Sequence, residues 1–401
     1  MYFTSPRITK KSNSDLSKGE VNRKPRPKGR RIFRLIMLEK KRIESVDILR
    51  GFTIAAMILV NTPGDWNHVY APLLHAEWHG LTPTDLIFPF FIFIVGISIY
   101  FAYKNKSNSK SIYKKIIIRS LKLIGLGLFL GLFLPYFPFV SDFETLRFLG
   151  VLQRIGIVFL ISSVLYLNCN WKSLITISTV ILVSYWLFLG FMPFPNLNGI
   201  SPTFDRAPNN WANYLDLKIL GKHMWKSDYD PEGLISTLPA VVTCLLGVLI
   251  GKLLDGLTKV SYLFFVGLGL LLSGYLLNIY FPINKALWSS SFVLVTSGWG
   301  TLILTVIYYL KDIKKYEFGT VFKYVGMNAI TIYFLSSFIS KSMYLIKVGA
   351  DSNIHSWLYK TIFMHEFLSL KFSSLLYGLT VVLLYVLLGY LLYRKKIFIK
   401  V

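Results

Sequence analysis

The chain is short of charge and of cysteine. Only 16% of its 401 residues are charged, against roughly 25% in a soluble domain, while 54% are hydrophobic and the mean hydropathy is +0.52. That balance excludes an ordinary soluble enzyme and indicates an integral membrane protein. The two cysteines, Cys169 and Cys244, stand in or beside apolar runs with no zinc or redox spacing, so they read as small core residues. No internal period of 20 to 50 residues suggests a solenoid. Residues 1–42 lack the apolar core of a cleavable signal peptide and instead run through Arg23-Lys-Pro-Arg-Pro-Lys-Gly-Arg-Arg31. They are expected to form a disordered basic cytoplasmic tail, with Met37 as an alternative start that N-terminal sequencing would identify. Acidic residues are also scarce, 20 against 44 Lys and Arg, for a net charge of +24. About eleven of those charges belong to the tail and many others to short loops, a pattern of membrane topology rather than of a nucleic-acid surface.

What is abundant is apolar sequence in lengths that span a bilayer. Windows of roughly 20 apolar residues predict ten helices, near 46–62, 85–103, 114–135, 148–168, 173–192, 233–253, 260–281, 290–310, 323–345 and 371–393. The expected fold is all-α, a polytopic transmembrane bundle over residues 43–395. With the tail in the cytoplasm, alternate loops should be rich in Lys and Arg. Lys104 to Lys115, Lys252 to Lys259, Lys311 to Lys315 and Arg394-Lys-Lys meet that rule, which places both termini in the cytoplasm. The loops 62–84, 137–147 and 193–232 then share the outer face.

The first of these outer loops holds three of the six histidines: Asn61-Thr-Pro-Gly-Asp-Trp-Asn-His68-Val-Tyr-Ala-Pro-Leu-Leu-His75-Ala-Glu-Trp-His79-Gly-Leu-Thr-Pro-Thr-Asp85. Thr82-Pro83-Thr84-Asp85 has the form of a capping box with proline at the first helical position. A carboxylate fixed there is placed to orient a nearby imidazole. His75 is accordingly the candidate base, with Glu77, Trp78 and His79 beside it. His68, His75 and His79 match no catalytic zinc signature such as His-Glu-x-x-His, and no metal is expected. Trp66, Trp78, Trp211 and Trp225 can serve as sugar platforms or as interfacial anchors.

Ionisable and polar residues inside spans are costly and therefore functional candidates. Asp47 and Arg50 lie three apart near the cytoplasmic end of the first helix, either as an intrahelical pair or with Arg50 turned inward to an anionic ligand. Arg119 and Lys122 enter the third span from the same side and can snorkel. Gln153, Arg154 and Asn328 lie well within spans, where interhelical hydrogen bonding is the competing explanation. Asp230-Pro-Glu232 is expected to open the sixth span, and Pro239 to kink it.

Taken together, Asp47-Ile-Leu-Arg50-Gly51, Asn61, the run Tyr70 to Pro89, Gly150-Val-Leu-Gln-Arg-Ile-Gly156, Asp230 to Pro239, Pro282-Ile-Asn-Lys-Ala-Leu-Trp288 and Gly326-Met-Asn328-Ala resemble the heparan-alpha-glucosaminide N-acetyltransferase family and its bacterial relatives. The resemblance covers nearly everything after residue 42. It implies a bundle of ten or eleven helices that carries acetyl from cytosolic acetyl-CoA to an amino sugar or glycan on the far side. The family's catalytic histidine maps to His75, as base or acetyl carrier, with Asn61 and Asp85 at the matching positions beside it. Arg50, Asp47, Arg119, Lys122 and Arg154 are the expected acetyl-CoA contacts. Trp78, Glu77, His79 and Asn328 are the expected acceptor contacts. The lysosomal form carries a further lumenal region ahead of this core, and asparagine where His79 stands, so the acceptor stays open. A bacterial cytoplasmic membrane is the expected location, lipid and the glycan are the expected partners, and a homodimer is compatible. The rival reading is an amino-sugar or oligosaccharide transporter without acyl transfer, which inverted repeats and midplane charges would favour. The concentration of polar residues at one face, unrepeated in the second half, argues against it.

Overall fold

A computed structural model describes residues 43–106, 108–194, 200–349 and 352–399. The basic tail expected over 1–42 lies outside the described residues. Among these residues the chain is a bundle of thirteen helices with one two-residue β-hairpin. The helices are α1 (Glu44–Asn61), α2 (Pro83–Tyr103), α3 (Lys110–Leu132), α4 (Val151–Asn168), α5 (Trp171–Phe191), α6 (Trp211–Leu220), α7 (Thr237–Asp255), α8 (Val260–Leu277), α9 (Ser290–Tyr308), α10 (Thr320–Met327), α11 (Ala329–Leu345), α12 (Ile354–Leu358) and α13 (Leu370–Arg394).

Every predicted window coincides with a helix, with one interruption. The ninth window breaks at Asn328 into α10 and α11, because the Asn328 side chain donates to the Ile397 carbonyl (3.0 Å) and accepts from the Ile399 amide (2.9 Å). Seven helices, α2, α4, α5, α7, α8, α9 with its π-helical end, and α13, are long and apolar enough to cross a membrane. Of the remaining windows, α1 and α3 carry several charges, and the last is the broken one. The centre of the bundle is α7 and α9, whereas α5, α8 and α13 leave most of their apolar surface uncovered, as helices facing hydrocarbon do.

Close helix approach depends on glycine. A Cβ at Gly96 would lie 1.9 Å from the Cys244 carbonyl oxygen and one at Gly247 would lie 2.0 Å from that of Phe93, so α2 and α7 touch backbone to backbone. Gly51 and Gly326 join α1 to α10 in the same way. Both cysteines are free thiols, Cys244 in the core.

Contacts between loops gather at the two ends of the bundle. At one end, the loop 62–82 meets 200–236, 278–289 and 346–369 through Trp78 to Phe204, Gly80 to Ile283 and the Pro63 carbonyl to His355. At the other, Lys104 pairs with Asp255, and Glu44 pairs with Lys323 and Lys311.

Pro239 does not kink its helix. It is the third residue of α7, in the first turn, where a missing amide costs little. The helix starts later than predicted because residues 230–236 are committed elsewhere. Asp230 and Glu232 both clamp Arg147, whose Nε donates to Asp230 at 2.8 Å, and the carbonyls of Pro231 and Gly233 accept from Arg154.

Candidate active site

The capping box at the start of α2 forms, and it fixes a buried carboxylate. Asp85 is 1% exposed, and its Oδ2 accepts from the Ala76 amide (3.1 Å), the Thr82 amide (3.0 Å) and the Thr82 hydroxyl (2.9 Å). Oδ1 is left to face His75, whose Nδ1 lies 2.7 Å away. A carboxylate oxygen can only accept, so Nδ1 carries the proton and Nε2 presents its lone pair. Pro89, four residues along α2, cannot donate to the Asp85 carbonyl, so this turn is held mainly by its side-chain contacts. The His75 side chain is 49% exposed, open to a reactant on the loop side.

A third group, a lysine, completes the cluster. His79 and Asn284 form an antiparallel bridge, and the Gly80 amide donates to the Ile283 carbonyl at 2.8 Å. The next residue, Lys285, is thereby brought to the imidazole, with Nζ 3.1 Å from both ring nitrogens and 3.8 Å from Asp85 Oδ1. Burial pulls the Lys285 ammonium below its usual pKa, while Asp85 and Glu232 act against that shift. In the neighbouring loop, burial alone would raise the Glu232 carboxyl, but Arg147 and Arg154 hold it below its usual value. The site is therefore a run of alternating charges, Asp85, Lys285, Glu232 and Arg147, under one exposed imidazole.

The three loop histidines go to three separate carboxylates. His68 Nδ1 is 2.7 Å from Asp65, and His79 Nε2 is 2.9 Å from Asp205. Trp78 donates to the Phe204 carbonyl at 2.9 Å and meets the Tyr229 ring edge-on, so its indole also ties the loop to 200–236. Glu77 is exposed beside it. Asn61 is exposed at the end of α1, with no hydrogen bond to His75 or Asp85 among the described residues.

At the basic end, Arg50 donates to Asp47 (2.9 Å) and to the Ser98 hydroxyl (2.7 Å), joining α1 to α2. Arg119 lies over the Phe159 ring at 4.7 Å and within electrostatic reach of Arg50, and Lys122 is exposed on the same helix.

Two expected site residues lie at the opposite end of the bundle from the others assigned to the same ligand. Arg154, expected beside the donor residues, lies fully buried in the first turn of α4 at the histidine end. There it donates to the Gly233 carbonyl (3.0 Å) and the Ser236 hydroxyl (2.5 Å) and stacks 5.1 Å from the Trp288 ring. Asn328, expected on the acceptor side, is at the basic end, where its side chain holds residues 397–399. Lys285 was missed. Its signal lay in the motif Pro282 to Trp288, but nothing local in that motif points to a histidine 210 residues away.

Fold and site together define a polytopic helical membrane protein with a carboxylate–imidazole–ammonium cluster at one end of its bundle. A family model described as heparan-alpha-glucosaminide N-acetyltransferase, catalytic, matches residues 42–260, more than half of the chain. The chain belongs to that family. It is 31% identical to the heparan-alpha-glucosaminide N-acetyltransferase of Homo sapiens and 29% identical to that of Mus musculus. Each match covers 90% of this chain and 60% of the relative's length, so the chain spans about 60% of these curated relatives.

Proposed function

We propose that this protein is a transmembrane acetyltransferase that uses acetyl-CoA from the cytoplasm to acetylate the amine of a glucosamine-type sugar or glycan at the opposite face. The observation that carries the reading is the Asp85–His75 pair, a half-exposed imidazole oriented through Nδ1 by a buried carboxylate, with the Lys285 ammonium beside its second nitrogen, in a chain of this family. We read the ten helical windows as ten spans with both termini in the cytoplasm of a bacterial cell, so that His75 faces outward.

In the proposed reaction the acceptor nitrogen adds to the thioester carbonyl. His75 Nε2 takes a proton from that nitrogen, the carbon–sulfur bond breaks, and the proton passes to the departing thiolate to give the amide and free CoA. Lys285 supports this reading as a donor 3.1 Å from the imidazole, and it is assigned to stabilise the negative charge that grows on the carbonyl oxygen. Asn61, at the end of α1 where the loop begins, is assigned to the same task. Trp78, Glu77 and His79 line the acceptor approach. Arg50, with Arg119 and Lys122 nearby, receives the phosphates of the donor at the basic end.

Purified protein given labelled acetyl-CoA and glucosamine should release labelled N-acetylglucosamine. Uptake of the sugar without acetylation would establish the transporter reading instead. Arg50→Ala should weaken CoA binding by about tenfold, the loss of one charge-assisted contact, while turnover at saturating donor changes little. An unchanged CoA titration would remove Arg50 from the donor site.

A further inference from the structure

A second polar constellation lies in the same histidine loop, and the reaction above does not use it. Gly64, Asp65 and His68 line a cavity of about 280 Å³ together with Ser356, Tyr359, Lys360 and Met364 from the segment ahead of α13 and Leu370 at its start. Its floor is set by Gly64, where a Cβ would lie 2.5 Å from the Tyr359 ring, so only glycine lets that ring close against the loop. The Gly64 amide donates to the Ser374 carbonyl (3.2 Å) and the Asp65 amide to the Ser374 hydroxyl (3.0 Å), which anchors this wall to α13.

The lining is chemically mixed. Asp65 accepts from His68 Nδ1 at 2.7 Å, which leaves Nε2 with no hydrogen bond among the described residues. Asp65, His68, Ser356 and Lys360 bring hydrogen-bond acceptors and donors to the lining, and Tyr359, Met364 and Leu370 bring apolar surface. A pyranose ring offers partners for both, hydroxyls around its edge and C–H groups on its faces. The size is close to the roughly 300 Å³ at the lower end of small-ligand pockets. A narrow cleft that shares His68 with the cavity is lined by Val69, Tyr70 and Leu73 against α13, and Leu73 is two residues before His75 in the same loop.

We propose that this cavity is a glycan subsite that holds a sugar unit of the acceptor chain other than the one acetylated at His75. The inference rests on the acetyl transfer proposed above, and it makes the preferred acceptor an oligosaccharide rather than a free monosaccharide.

The test compares glucosamine with its tetramer, using the wild type, His68→Ala and Lys360→Ala. Lys360 is exposed, so its replacement leaves the fold intact. In the wild type, kcat/KM should be higher for the tetramer. Each variant should lose up to about tenfold of that advantage, the effect of one or two hydrogen bonds, with glucosamine kinetics unchanged. Equal losses on both acceptors, or no wild-type preference for the tetramer, would overturn the subsite. Tetramer binding without acetyl-CoA, followed by tryptophan fluorescence, separates this inference from the reaction itself. His75→Ala should bind the tetramer as the wild type does and His68→Ala should bind it more weakly, whether or not acetyl transfer occurs. Equal binding by all three proteins would overturn the subsite.

Discussion

Replacing His75 with alanine should reduce acetyl transfer by at least about 10³-fold, in line with the loss of a general base together with the alignment it provides. The expectation follows from geometry. His75 is the exposed member of the cluster, and the nitrogen that Asp85 leaves open is the basic one. The helix cap does not depend on its ring, because Ala76 and Thr82 complete the Asp85 cap whether or not the imidazole is present. The variant should therefore insert, keep the wild-type melting temperature and bind CoA with unchanged affinity. Turnover above a trace in a steady-state assay would defeat the assignment.

Asp85→Asn should reduce turnover by roughly 10² to 10⁴-fold while leaving the fold intact, and this substitution gives the sharper test of mechanism. The oxygen of the new amide must occupy the Oδ2 position, where three donors converge from Ala76 and Thr82. The amide nitrogen then faces His75 Nδ1 in place of Oδ1. That contact survives only if Nδ1 becomes the acceptor, which moves the imidazole proton to Nε2 and removes the base. Capping is preserved, so thermal stability should fall by no more than about 1 kcal/mol, the worth of a cap. The rate should fall in kcat with little change in KM. A rate close to wild type would mean that Asp85 acts only as a cap.

The bundle was legible in the sequence because a helix in lipid must satisfy its own backbone and cover about 20 apolar residues, a signal that needs no partner. The His75–Asp85 pair was legible for a similar reason, since Thr82-Pro83-Thr84-Asp85 announces a helix start and His75 lies only ten residues before the carboxylate. What escaped depends on distant parts of the chain. Lys285 reaches His75 through the His79–Asn284 bridge between two loops, and no pattern of apolar residues encodes that pairing. The break at Asn328 comes from a hydrogen-bonded tether to residues 397–399, not from a proline or a run of glycines. The partners of Arg154 escaped because its spacing gave no hint that the carbonyls of 231–233 would turn toward it. The short α6 inside the 192–236 loop was also missed, being far below the length that a spanning window detects.

Sealed vesicles with the protein in one orientation provide the most direct measurement. Labelled acetyl-CoA is supplied at the basic end of the bundle, where Arg50 lies, and glucosamine only at the His75 end. Labelled N-acetylglucosamine should accumulate on the His75 side, and His75→Ala vesicles should form none. Product that appears only when donor and acceptor share one compartment, or that forms equally with His75→Ala, would contradict transfer across the bundle to this histidine.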